Sequence, residues 1–257
     1  MTKKYKKNFL KTVLFRIDYS TVLSIEVNKP VDFQSKVMEL GFQKLTPIQG
    51  LFFELTPSRL ESQNALTKIQ SWQFSDASET KKITLQSNSL TYEVTSYESF
   101  DKFRNELKTI IGAFFEQYKT VISRIGLRYI NIIDDDDPSK ELFDWKNLIN
   151  TKLLHGQDFY ADKNKLSRIL HVLNIKESEY LVQFQYGHIN TQFPNTINSR
   201  QFVLDYDCFI ENINLSDKDI LLKNVETFHV AIENLFESSI TPGLRDKMGE
   251  LKDEPTE

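Results

Sequence analysis

Asp205-Tyr206-Asp207 sets two carboxylates in a spacing that could do chemistry. Residues i and i+2 of a strand share one face, about 7 Å apart along it. Such a pair could hold a divalent metal, or act as acid and base with one pKa raised by like charge. The bland alternative is a polar strand face, with Phe202, Leu204 and Tyr206 turned to a core, and we take that reading. Asp134-Asp135-Asp136-Asp137 before Pro138 is denser in charge but poorer in geometry. It lacks the spaced ligands and glycine of a calcium loop, and consecutive side chains diverge, so a solvated loop is expected.

Arg16, Arg124 and Arg128 are the second group. Arginines on the open face of a sheet could clamp a phosphate or carboxylate, with Tyr129 beside them. The competing expectation is ion pairing with Asp18, Glu93 or other sheet neighbours. The four histidines, His155, His171, His188 and His229, form no His-x-His or His-x3-His pair. His171 and His188 fall on one expected hairpin and could approach each other, yet two imidazoles without a carboxylate make a weak metal site. Cys208, the single cysteine, sits in an apolar run as a buried small hydrophobe would. There is no Gly-rich phosphate loop and no Gly-x-Ser-x-Gly elbow. No cofactor is implied.

The elements that must position these residues follow from periodicity. The run 9–27 reads as extended, with Val13, Phe15, Ile17 and Tyr19 alternating against Thr12, Leu14, Arg16 and Asp18. Asp32 is placed to cap a short helix carrying Phe33, Val37 and Leu40, which Gly41 would end. Strands are expected over 49–56, 71–75, 81–86 and 90–95, with Pro57 opening a polar loop to 67. A long helix should start near Ser99, on the stripe Phe103, Leu107, Ile110, Ile111 and Phe114. In the second half we expect a strand over 125–133, a helix over 142–154, a hairpin over 167–188 and a strand over 201–209. Ser216-Asp217-Lys218-Asp219 resembles a capping box before a second long helix through Val225, Phe228, Ile232 and Phe236. Pro242-Gly243 should end that helix.

The order β-α-β-β-β-β-α, then β-α-β-β-β-α, implies antiparallel meanders. A rough internal echo supports two related halves. Phe33 and Lys36 correspond to Phe143 and Lys146, and Arg16 to Arg128. The expected fold class is therefore α+β, with two tandem pseudo-repeats, each an antiparallel sheet covered by its own long amphipathic helix. The halves would span 9–121 and 122–241, joined edge to edge or sheet to sheet, with 1–8 and 250–257 as flexible tails. Lys3-Lys4-Tyr5-Lys6-Lys7 belongs to the first tail. The order is similar to that of saddle-shaped repeated folds such as the TATA-binding protein, which speaks to architecture alone.

Composition narrows the function classes. The chain has 257 residues, 40% hydrophobic and 26% charged, which suits a globular protein with a substantial core. A net charge of −4 argues against a general polyanion binder. No apolar run reaches membrane-spanning length, and no signal peptide is legible after the N-terminal lysines. With one cysteine, no intramolecular disulfide can form, which fits a reducing cytosol.

Three blocks, taken in order, carry a family resemblance: Trp72-Gln73-Phe74-Ser75, the stretch from Leu90 to Phe100, and Arg124-Ile125-Gly126-Leu127-Arg128-Tyr129-Ile130-Asn131. With the opening Val13–Tyr19 and the terminal Phe236-Glu237-Ser238-Ser239-Ile240-Thr241, the chain resembles a sporadically distributed, uncharacterised prokaryotic family of about this length. Gly41-Phe42 departs from it, where a proline is expected after the first helix. The resemblance implies a prokaryotic cytoplasmic protein, with an accessory role in a defence or toxin–antitoxin locus. It supplies no catalytic residues.

The functional expectation is a non-enzymatic protein-interaction module, with another protein as partner and a second copy also open. The alternatives are nucleic-acid or nucleotide binding through sheet arginines, Arg16 and Arg128 with Lys-rich elements, and a metal-dependent hydrolase on Asp205 and Asp207. Nucleic acid is the less favoured partner, and no membrane is expected.

Overall fold

The computed structural model describes residues 4–52, 67–135, 137 and 139–251. In chain order the elements are β1 (Lys4–Tyr5), β2 (Leu10–Tyr19), α1 (Ser24–Val27), α2 (Val31–Met38), β3 (Lys44–Phe52), β4 (Thr67–Ser75), β5 (Lys81–Leu85) and β6 (Ser89–Val94). Then follow α3 (Phe100–Gln117), β7 (Ile122–Asp134), β8 (Ile169–Lys176), β9 (Leu181–His188), β10 (Gln201–Leu215), α4 (Lys218–Ser239), α5 (Pro242–Met248) and β11 (Glu250–Leu251). The expected strand end at Thr56, Pro57 and most of the polar loop beyond lie outside the described residues.

The chain is α+β and antiparallel, but it does not build two sheets each under its own helix. Among the described residues nine strands join one sheet in the order β3-β4-β5-β6-β2-β7-β10-β9-β8. The reason is strand pairing. Two separate half-sheets would leave β2 and β7 as open edges, each a row of unpaired N–H and C=O groups. In the single sheet these strands are hydrogen-bonded neighbours and no such edges remain.

Compact units interleave along the sequence. One comprises 14–126 with 211–223; the other comprises 1–13, 127–210 and 224–257. The boundaries therefore do not fall at 121–122 alone.

In the first unit, β3 to β6 form a meander with Pro47 opposite Trp72, Phe74 opposite Ile83 and Ile83 opposite Tyr92. Ser99 caps α3 by accepting from the Lys102 N–H at 3.2 Å. The α3 stripe of Phe103, Leu107, Ile110, Ile111 and Phe114 is buried. Tyr92 stacks on Phe103 at 5.2 Å, and Tyr19 meets Phe114 at 4.8 Å. Burying such side chains contributes about 1.5–3 kcal/mol each before entropy is counted. The chain does not stay extended to residue 27. It leaves the sheet after Tyr19 and forms α1, held where Trp72 Nε1 donates to the Ile25 carbonyl at 3.0 Å. The next helix begins at Val31 with Pro30, not Asp32, in the cap position. Proline's fixed φ suits a helix start.

In the second unit, α4 buries Val225, Phe228 and Ile232. Tyr206 donates to Ser239 Oγ at 2.9 Å, and Phe184 stacks on Tyr206 at 4.5 Å. Residues 217–220, which belong to the first unit, hold the α4 N-terminal cap, where Asp217 accepts from the Asp219 N–H at 2.7 Å and the Ile220 N–H at 3.2 Å. The expected helix over 142–154 is replaced by turns, including single 3-10 turns at Thr151–Leu153 and His155–Asp158. Phe143 and Trp145 are both buried, at 8% and 0% exposure. Two residues apart on a helix they would point nearly opposite ways, so both reach the core only if the chain is irregular. The echo of Phe33 in Phe143 is thus one of sequence, not of structure.

The second long helix, α4, ends at Ser239 just before Pro242-Gly243, as expected, and Pro242 then opens a further helix, α5. Residues 4–5 and 250–251, expected to lie in flexible tails, instead pair as strands. Lys4 pairs with Leu251 and Tyr5 with Glu250, and the Lys6 N–H donates to the Gly249 carbonyl at 3.1 Å. Tyr5 hydroxyl donates to Glu237 at 2.5 Å, and Arg245 Nε to the same carboxylate at 2.8 Å.

Candidate binding surface

Strand alternation separates two residues that the sequence grouped together. Arg128 and Tyr129 are consecutive on β7, so they face opposite sides of the sheet. Tyr129 is buried, with its hydroxyl 3.0 Å from His229 Nδ1, while His229 Nε2 stands 3.2 Å from Glu233. Arg128 lies on the other face and donates through Nε and Nη2 to the two Asp205 oxygens, at 2.8 and 2.6 Å. This is a bidentate, charge-assisted pair. Its carboxylate is only 9% exposed.

The same pair answers the metal expectation for Asp205 and Asp207. Both Asp205 oxygens already accept from a guanidinium, which supplies the positive charge a metal would bring. Asp207 lies two residues on, opposite Gln183 of β9. Among the described residues no group of three histidine, cysteine or carboxylate side chains could hold a metal. In the other unit, Arg16 pairs with Asp18 at 2.7 Å and Arg124 with Glu211 at 3.3 Å. Within each unit, then, the candidate arginines face carboxylates.

His171 and His188 do not form a pair of ligands. His171 stands opposite Tyr186 and stacks on it at 5.1 Å, whereas His188 stands opposite Ile169. His188 Nε2 is 2.9 Å from Gln157 Oε1, among Phe143, Trp145 and Phe202. Cys208 is buried and in no disulfide, and burial pushes its thiol far above the ordinary range, which disfavours the thiolate.

The feature that sequence reasoning passed over is β8. Among the described residues it ends the strand order, so one of its sides is a sheet edge there. Its residues Ile169-Leu170-His171-Val172-Leu173-Asn174-Ile175 include no proline and no formal charge. Leu170, Val172 and Leu173 are 47%, 49% and 45% exposed. Natural edges are commonly blunted by proline, charge or a bulge. The opposite end of the strand order, β3, follows that rule, with Pro47 in mid-strand and Lys44 paired to Glu79 at 2.9 Å. The sequence shows large apolar residues on both alternations of this short strand, but only the strand order makes it an edge.

Two neighbours shape this edge. The turn at His155–Asp158 brings Gly156 against the His171 ring, and the same loop leads to Phe159 and Tyr160, exposed at 94% and 48%. On the other side Gly187 of β9, at φ +146°, lies against β8. A Cβ there would sit 2.1 Å from the Ile169 carbonyl oxygen. Gly187→Ala is therefore expected to lower stability by about 2 kcal/mol, because neither the φ nor the backbone oxygen can yield cheaply. Urea unfolding measures this, and the loss of protection should concentrate in the β8 amides.

Beside β9, a polar row crosses the same face as Asp205. Gln185 donates to Gln183 at 3.0 Å, and Gln183 to Asn174 of β8 at 3.3 Å. These amides fix side chains behind the edge and leave its backbone groups on the outer side to other partners. No described helix is long and apolar enough to cross a membrane. Neither the family models nor the curated proteins compared with this chain match it.

Proposed function

We propose that this protein is an interaction module that takes up an extended segment of another protein along β8. The observation that carries the reading is an end strand with no proline or formal charge over seven residues and three large apolar side chains near half exposure. Strand addition uses such an edge for main-chain hydrogen bonds and uses alternate side chains for specificity. The exposed Phe159 and Tyr160, on the loop that packs against His171, extend the apolar area with residues of the type that anchor interfaces.

Nucleotide or nucleic-acid binding has less support, because Arg16, Arg124 and Arg128 each face a carboxylate at 3.3 Å or less. The hydrolase reading has less again, since Arg128 occupies both oxygens of Asp205.

The test is a selection of displayed random peptides on the folded protein, with binding mapped by amide NMR shifts. Enriched peptides should perturb residues 169–176. Leu170→Lys with Val172→Lys should abolish their binding while changing stability by no more than about 0.5 kcal/mol per site, as surface changes do. Peptides that map elsewhere, or that bind the double variant equally well, would contradict the reading.

A further inference from the structure

The chemistry at the two ends of β8 specifies the partner more closely, given the edge reading above. Residues 169–176 hold no carboxylate. Arg168 stands just before the strand and Lys176 closes it. Arg168 packs its guanidinium over the Phe193 ring at 4.0 Å and makes no ion pair among the described residues. Lys176 makes none either. The nearby cations differ, since Lys163 is paired with Asp158 at 2.6 Å and Lys165 with Asp162 at 3.3 Å. Glu177 and Glu179 follow in the turn to β9, outside the strand. The edge is thus an apolar stretch bracketed by two positive side chains, neither in an ion pair among the described residues, about 26 Å apart along the extended chain.

We infer that the β8 edge selects an extended protein segment of about eight residues, apolar at alternate positions and carrying a carboxylate at each end. Charge complementarity also counts against pairing with a second copy of this chain in one register. Antiparallel self-pairing centred on Val172 would set Arg168 of one copy opposite Lys176 of the other, at both ends. Like charges directly opposed across strands are destabilising. Recentring on His171 relieves that clash and sets Leu170 against Val172, so self-pairing in that register is the competitor that the dimer outcome below tests. A foreign segment with acidic ends instead meets an opposite charge at each end of the edge in either orientation.

The experiment compares two synthetic peptides with the same alternating Val/Thr centre, one with glutamate at both ends and one with lysine. Affinity for the full chain is measured at low and at high salt, and the site is read from amide shifts in β8. The glutamate peptide should bind about tenfold tighter at low salt, since opposite and like end charges differ by a few tenths to 1 kcal/mol each. The gap should narrow at high salt. In the charge-reversed variant Arg168→Glu with Lys176→Glu the preference should switch to the lysine peptide. Equal binding of both peptides at β8, or a preference for lysine in the native chain, overturns the partner chemistry and leaves the edge reading standing. If neither peptide shifts any β8 amide, the edge reading falls and the inference with it. A salt-sensitive dimer that blocks β8 would overturn the argument against self-pairing.

Discussion

Arg200→Ala is expected to lower stability by about 3–5 kcal/mol, the range for removing one member of a buried ion pair. Arg200 and Asp135 are each 9% exposed and bonded through Arg200 Nη1. The guanidinium also donates to the carbonyls of Glu141, at 3.1 Å, and Asp144, and lies 4.7 Å over the Trp145 ring. One side chain thus neutralises a buried carboxylate and pins the irregular segment whose Trp145 fills the core. Lys247 reaches the other Asp135 oxygen, but it is 44% exposed, so solvent screens most of its contribution. The alanine variant leaves Asp135 with that weaker partner alone. Burial works against ionising Asp135, yet hydrogen bonds from Lys247 and Arg200 outweigh it and hold the carboxyl below its ordinary range. Its contribution is therefore present at neutral pH and lost as pH falls toward the folded-state pKa. Arg200→Lys should recover only part of the loss, because an ammonium cannot reach the carboxylate and both carbonyls together. Denaturant midpoints at pH 7 measure all three proteins, and an alanine variant within about 1 kcal/mol of the native chain would refute this role.

Acidification from pH 7 to about 4.5 is expected to remove about 2–3 kcal/mol through His188 alone. The ring is 2% exposed. Gln157 Nε2 donates to the Phe143 carbonyl at 3.1 Å, which orients its Oε1 to accept from His188 Nε2. The imidazole Nδ1 is then an acceptor with no partner among the described residues. Protonating it would bury a charge and an unanswered N–H together. Burial, followed by the positive charge of Lys163 and His171, lowers its pKa from 6.5 to about 4. The unfolded chain binds a proton below pH 6.5 and the folded chain does not until about pH 4. Stability is full above 6.5 and declines as pH falls through that window. His188→Gln should flatten the slope between pH 6.5 and 4.5 relative to the native chain. An unchanged slope would show that other groups cause the acid sensitivity.

The long helices α3 and α4 were legible because their apolar residues recur at threes and fours over many turns, and Ser99 marked its own cap. β2 and β6 were legible from alternation, and the β8–β9 hairpin from two apolar runs divided by a polar turn. The joining of all nine strands was not, since nothing local to β2 or β7 names its partner across a hundred residues of chain. The segment around Phe143 and Trp145 misled for a physical reason: an apolar pair two apart, followed by Leu148 and Ile149, satisfies parts of the helical pattern. At the site, Arg128 could be picked out, but its Asp205 partner is 77 residues away. The opposite facing of Arg128 and Tyr129 follows from parity alone and could have been read from the strand assignment. The exposed edge needed the strand order, because only that tells which apolar strand is last in the sheet.

Amide hydrogen exchange in β8 tests the account most directly. In the free protein the outward N–H groups of residues 169–176 should exchange rapidly while those bonded to β9 are protected, giving alternate fast and slow positions. On adding a display-selected peptide, the fast set should slow by at least about tenfold as a new strand covers it. Fast positions that stay fast in the bound state, or an edge already protected in the free monomer, would contradict the claim that β8 receives a partner strand.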